Sequence, residues 1–240
     1  MGTRFEVVLP ADDPEAMRPA GEAALAEIEE WHRRLTRFEP DSQLNHLHRA
    51  AVDAPVTIDR DLYALLEECV AVWHASGGAF DPALGTGMDA VELDPAHSTV
   101  RFTRPGVTLD LGGIAKGHAL DHAARVLREA GVTSALLHGG TSSVAAIGQP
   151  PGEAGWKVAL AGSGNPPTVV TLADQALGAS SQFQRPHVAD PRTGTLIKGA
   201  RLAAVIGASA RRCDAWSTAL LVLGRRPAAM PAGYEVVVIP

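Results

Sequence analysis

Apolar residues along this chain recur with two periods, and the change from one to the other marks out the elements. In RFEVVLP, Phe5, Val7 and Leu9 fall on one side of an extended chain, which predicts a strand. The chain then turns between Pro10 and Pro14. Asp13 ahead of Pro14 is a helix start, and Leu25, Ile28, Trp31 and Leu35 keep helical spacing up to Arg37. A second helix is expected from Asp59 or Asp61, with Leu62, Leu66, Cys69 and Trp73 along one stripe and a stop at Gly77-Gly78. A third begins within GGIAKG and ends at Gly131.

Beyond Gly131 the segments shorten. SALLHGG, SSVAAIG, WKVALAG and TVVTLADQALGAS are separated by glycine, proline and asparagine turns, the pattern of a strand meander. RLAAVIGAS, a helix over CDAWSTALLVLG and a last strand in YEVVVIP complete the chain. Helices and strands mix without strict alternation, so the expected class is α+β, with a mixed, largely antiparallel sheet and packed helices. GSGNPP at 162–167 is a hairpin-type loop too short to separate domains, so residues 1–240 are expected to form one domain.

Composition narrows the function classes. The 240 residues are 46% hydrophobic, enough for a full core. The net charge of −6 comes from intermixed signs, with no basic tract for a nucleic-acid backbone or an anionic membrane. Cys69 and Cys213 both lie in helix-like stretches and read as core thiols. No apolar run is long enough to span a bilayer, and the opening MGTRFEVVLP lacks the regions of an export signal. As it stands the chain is expected in the cytoplasm, or in the periplasm or at a membrane if a leader was trimmed.

Several short stretches carry candidate chemistry. DLGGIAKG at 110–117 places a glycine pair ahead of a lysine, a combination that often holds phosphate. It has the spacing of neither the P-loop nor the dinucleotide fingerprint. His118 and His122 share a helix face, but the residues between them lack the glutamate of the zincin motif. His46 and His48 flank Leu47 in a loop-like stretch and read as a solvated surface pair. GAFDP at 78–82 reads as a turn, with Asp81 bonding nearby amides and Phe80 plugging the core. In HVADPRTG at 187–194, Asp190-Pro191 and Thr193-Gly194 make turns and Arg192 fits a surface charge.

Asp214 and Thr218 lie four apart on one face of the last helix. Two hard oxygens there suit Mg²⁺, whose shell is completed by phosphate and water. The same spacing also fits Asp214 capping the helix and Thr218 bonding back to its own turn.

Taken in order, MGTRF, LTRFEPDSQL, SGGAFDPALG, DLGGIAKGHALD, HVADPRTG and DAWSTALLVLG resemble the ApbE family of FAD:protein FMN transferases over nearly the whole chain. The resemblance implies Mg²⁺-dependent transfer of the FMN half of FAD to a threonine or serine hydroxyl of an acceptor protein, with release of AMP. The anion at the glycine pair would be the FAD pyrophosphate, with Gly112 allowing close backbone approach and Lys116 balancing charge. Ala115 matches the position whose carbonyl holds the metal, and Asp214 and Thr218 match its side-chain ligands. Met1, Phe38, Ala79, Phe80 and Asp81 fall where the family grips the flavin nucleotide, and His118 and Val188 match further contact positions. His187 matches the histidine before Asp-Pro-Arg-Thr-Gly, and is expected to help deprotonate the acceptor, with Asp214 as the other catalytic residue.

The chain departs from the family pattern at three places. Leu137-His138-Gly139-Gly140-Thr141 stands where Asn-x-Gly-Gly-Asp is common, His48 stands at an asparagine position, and the opening MGTRF is read as lacking the lipoprotein leader usual in the family, so the compartment is not expected to follow from the resemblance. The same metal site with water as acceptor would make an FAD pyrophosphatase, and the fold without turnover would make a flavin carrier or sensor.

Overall fold

The computed structural model describes residues 3–10, 14–160, 162, 166–182, 188–198 and 202–239. In chain order the elements are strand β1 (Phe5–Val8), helices α1 (Pro14–Leu35) and α2 (Gln43–Ala50), strand β2 (Val56–Thr57) and helix α3 (Arg60–Ala75). Strands β3 (Val91–Asp94) and β4 (Thr99–Phe102), helix α4 (Ala115–Glu129), and strands β5 (Ala135–Gly139) and β6 (Ser143–Ile147) follow. The chain continues with β7 (Trp156–Ala159), β8 (Val169–Leu172), β9 (Ala176–Ser181), β10 (Leu202–Gly207), helix α5 (Ala210–Leu223) and β11 (Glu235–Ile239).

Periodicity locates most of these, with local corrections. Phe5, Val7 and Leu9 pack against the core as the alternation predicts. Along α1 the buried stripe is Ala24, Ile28, Trp31 and Leu35, while Leu25 is 41% exposed, because it sits one position off that stripe. In α3, Asp59 caps the helix by accepting from the Asp61 and Leu62 amides, and Leu65 and Val72 join Leu62, Leu66 and Cys69 inside. The stretch holding His46 and His48 is helix α2, not a loop. Ser42 caps it, and Leu44 and Leu47 bury its inner face.

The main sheet has the order β1-β5-β6-β9-β10-β11, and every strand pair among the described residues is antiparallel. Its middle strands do not alternate between buried and exposed, because both faces are covered: all five residues of β6 and all six of β10 are buried. Ala203 and Val205 face the helical core, with α5 over β9 and β10, and α4 over β5 and β6. Leu202, Ala204 and Ile206 face a second core with Trp156, Val158, Leu160 and Leu172 of the separate β7–β8 hairpin. A small sheet, β2-β4-β3, contributes Val100 and Phe102 to the first core beside α2 and α3.

Two close approaches fix α5, one against α4 and one against the sheet. A methyl group at Gly117 of α4 would lie 2.1 Å from the Ala210 carbonyl oxygen of α5, and one at Gly178 of β9 would lie 2.3 Å from the Cys213 carbonyl carbon. Only glycine fits at either crossing. Cys69 and Cys213 are free and buried, and burial pushes both thiols up. No helix among the described residues is long and apolar enough to cross a membrane.

Candidate active site

The glycine crossings bring the N-terminal turn of α4 against the second turn of α5, and there Asp214 is buried at 2% exposure. Both oxygens of its carboxylate are hydrogen-bonded. Oδ2 accepts from Lys116 Nζ at 3.2 Å and from the Gly117 amide at 3.1 Å, and Oδ1 accepts from Ser143 Oγ at 3.0 Å. A buried carboxylate is tolerable only with such partners. Lys116 Nζ also donates to the Gly112 carbonyl at 3.1 Å, so the ammonium closes the glycine loop onto α5.

Asp214 does not cap its helix. Ser209 does, accepting from the Arg212 amide at 3.3 Å. Asp121 of α4 adds a second cap across the crossing, accepting from Ser209 Oγ at 2.8 Å and from the Ala210 and Arg211 amides at 2.7 and 3.1 Å. The start of α5 is thereby locked to α4, which holds the register between Lys116 and Asp214. Thr218 does bond back, donating to the Asp214 carbonyl at 3.4 Å, and its hydroxyl also lies 3.3 Å from Ser180 Oγ. Ser217 donates to the same carbonyl at 2.8 Å and meets Ser180 at 2.9 Å.

A cavity of about 550 Å³ opens beside these groups, within the range of small-molecule sites. Its lining draws on side chains from both faces of the sheet. One limb is polar, lined by Gly112, Gly113, Lys116, Ser180, Asp214 and Thr218, and the β5–β6 turn supplies Gly140, Thr141 and Ser142. The other is apolar, between Val144, Leu177 and Leu202 of the sheet and Val158 and Leu160 of the hairpin side. His138 borders it too, and burial lowers its pKa, partly offset by the charge of Glu6.

Five residues expected at the site therefore share one cavity: Gly112, Lys116, Val188, Asp214 and Thr218. Ala115 is the first residue of α4, buried next to Lys116. Ala79 and Phe80 are buried, and a Phe80 ring carbon and Thr218 Oγ1 lie 3.3 and 3.2 Å from the point where a side chain on Gly113 would begin. Asp81 is a turn-former, accepting from the Ala83 and Gly85 amides at 2.8 Å each. It borders a second cavity of about 310 Å³ with Trp73, Gly78 and Arg192. Phe38 is 80% exposed on the turn after α1, with the Arg37 guanidinium 4.9 Å over its ring. Met1 and His187 lie outside the described residues.

His118 is not brought to this cavity. Two residues beyond Lys116 is more than half a helical turn, so its ring points into the core at 1% exposure, 4.2 Å from the Trp31 ring and 4.5 Å from that of His122. Burial, with the neighbouring charges of His122, Arg211 and Arg34, pushes its pKa down to about 2. His122 packs on Trp31 and lies 3.4 Å from Glu27. Among the described residues no cluster of three or more His, Cys, Asp or Glu forms a metal cage.

Sequence reasoning passed over Ser143, Ser180 and Asp121. The first two come from strands far from α5 in the chain and carry no local signal. Asp121 sits in the GHALD run, but the helix crossing that gives it its role is set by tertiary packing and carries no signal in the sequence.

Comparisons with known proteins bear on the family and the fold. A sequence model of the ApbE family matches residues 1–97 and 84–235. The FAD:protein FMN transferase of Treponema pallidum is 30% identical over 267 residues, covering 86% of this chain and 74% of that protein. The protein of the same name from Rhodobacter capsulatus is 29% identical, and 88% of this chain spans 48% of its length. Among solved structures, the ApbE protein of Thermotoga maritima superimposes with a TM-score of 0.82 at 23% identity, covering 93% of this chain and 84% of that one. The flavin transferase ApbE from Vibrio cholerae does so with a TM-score of 0.83 at 17% identity, covering 99% and 94%. With its matched segments spanning the sheet, the glycine loop and α5, this chain belongs to the ApbE family.

Proposed function

We propose that residues 1–240 act as one FAD:protein FMN transferase domain, moving the FMN part of FAD to a threonine or serine hydroxyl of an acceptor protein and releasing AMP. The observation that carries this reading is the meeting of Asp214, Thr218 and Lys116 beside the glycine loop at the polar end of a ligand-sized cavity. The names of the relatives point the same way.

The oxygen donors at this end, the Asp214 carboxylate and the Thr218 hydroxyl, are hard ligands that suit Mg²⁺. Magnesium held by them and by the Ala115 carbonyl would neutralise charge on the pyrophosphate oxygens. The chain's own residues do the rest. Lys116 and the Gly112-Gly113 backbone bind the pyrophosphate, with Phe38, Ala79, Phe80, Asp81 and Met1 proposed for the remainder of the nucleotide. The acceptor oxygen forms a bond to the FMN-side phosphorus as the bond to the bridging oxygen breaks. That oxygen leaves on AMP with the electron pair. The hydroxyl proton passes to a base, for which His187 is proposed from the family resemblance of the HVADPRTG run.

The test incubates the protein with FAD, Mg²⁺ and a threonine-bearing FMN-binding domain, following flavin fluorescence on the denatured acceptor and AMP together. The expected result is stable labelling with matching AMP, lost in Asp214→Ala and on chelation. AMP without label would replace transfer by hydrolysis, and FAD binding without either product would make the chain a carrier.

A further inference from the structure

Two side chains one turn apart on α2 send their hydrogen bonds away from the helix. Asn45 Nδ2 donates to the Arg37 carbonyl at 2.9 Å and to the Glu39 carbonyl at 2.7 Å, so it grips the backbone on both sides of Phe38. Asn45 Oδ1 lies 3.2 Å from His48 Nδ1, and His48 Nε2 lies 2.8 Å from the Leu109 amide nitrogen. An amide N–H can only donate, so Nε2 must be the acceptor and the ring proton must sit on Nδ1, where it is given to Asn45. Leu109 leads directly into the glycine loop, where Asp110 accepts from the Gly112 amide at 2.9 Å and pairs with Arg37 at 3.1 Å.

The geometry points to His48 as a positioning residue: with Asn45 it relays a hydrogen bond from the glycine loop to the Phe38 segment and so sets the span between them. This rests on the transferase reading, in which that span holds FAD between its pyrophosphate and a ring system. His48 touches neither, and acts through Leu109 and Asn45.

The relay works only with a neutral ring. A protonated His48 would turn an N–H toward the Leu109 N–H, opening the relay while the Arg37–Asp110 pair stays in place. The charge that acts on it is that of Arg49 on its own helix; the two tied segments carry Arg37, Glu39 and Asp110, of which Arg37 and Asp110 pair with each other. Burial, then Arg49, holds the imidazole below its ordinary range, against a backbone hydrogen bond at Leu109 that acts in the opposite sense, so the net shift favours the neutral ring that the Leu109 amide contact requires.

The test uses the full chain with FAD and Mg²⁺, measuring FAD affinity across a pH series for the wild type, His48→Gln and His48→Ala. A glutamine oxygen can accept the Leu109 N–H without titrating. We expect His48→Gln to keep neutral-pH affinity and lose part of the acid fall-off, and His48→Ala to bind about tenfold more weakly at neutral pH with kcat at saturating FAD nearly unchanged. A wild-type acid limb in His48→Gln, or unaltered affinity in His48→Ala, would overturn the proposal. If His48→Ala does not fold, imidazole ¹⁵N shifts of the wild type decide, because a proton on Nε2 at neutral pH is incompatible with the relay. A wild type that binds no FAD would remove the transferase reading instead, and the tautomer measurement would still decide the relay.

Discussion

Lys116 and His118 stand two residues apart on α4, on opposite sides of the helix. Toward the cavity, the Lys116 ammonium meets the Asp214 carboxylate and the Gly112 carbonyl. Toward α1, His118 meets the rings of Trp31 and His122, and its Nε2 has no hydrogen-bond partner among the described residues. Both are basic and both are largely enclosed. The difference teaches that enclosure alone does not make a charged site: acceptors must converge on the group, and they do so only where α5 crosses. Where none converge, the ring stays neutral and serves as packing.

The contrast can be broken most severely from the α5 side. Asp214→Asn keeps the shape but removes the charge opposite Lys116, and transfer should fall by roughly a thousandfold, measured as the rate of acceptor labelling. Lys116→Met makes the complementary change, leaving Asp214 without its cation. The expected loss is roughly a hundredfold in labelling rate, with weaker FAD binding in a titration. Gly117→Ala acts on the residue between the two. Its methyl meets the Ala210 carbonyl, so α5 must shift, at a cost of about 1–3 kcal/mol, seen as a lower Tm together with reduced labelling.

The smallest effect lies on the far side and is a matter of pH. The folded pKa of His118, pushed down to about 2, is below the 6.5 of a free imidazole. Below the free value an unfolded chain takes up a proton that the folded chain refuses. The stabilising contribution is therefore complete above 6.5 and declines as the pH falls, by up to about 1.4 kcal/mol per pH unit. His118→Phe should flatten this decline, compared as urea midpoints of the two proteins at pH 7 and pH 5.5. Equal slopes would show that the ring is not held neutral.

How far the sequence carried this picture depends on the range over which each signal acts. Helix α3 was readable from the Asp59 cap and a stripe of leucines, and Asp81 from its place between glycine and proline. Helix α2 carried its signals too, Ser42 followed by Leu44 and Leu47, but Asn45, His46 and His48 made the stretch look like a loop. Strand β2, with two residues, is too short for a period to show, whereas β3, with Val91 and Leu93, and β4, with Val100 and Phe102, do alternate, but over no more than four residues each and beside the charged residues Glu92, Asp94 and Arg101. At the site, the Asp214–Thr218 face was readable because helical spacing is local, whereas Ser143, 71 residues away in the chain, is placed by sheet register. His118 shows the opposite case: helical phase alone separates it from Lys116, and family resemblance without phase placed both at the nucleotide.

The β7–β8 hairpin shares no strand pair with the six-stranded sheet among the described residues, and it meets that sheet chiefly through the second core of aliphatic and indole side chains. It is thus a detachable wall. Change in its length or its inward residues would reshape the apolar limb while Asp214, Lys116 and Thr218, carried on α4 and α5, kept their places. In an engineered library, what the pocket accepts can be varied on one face of the sheet while the polar end on the other keeps its residues.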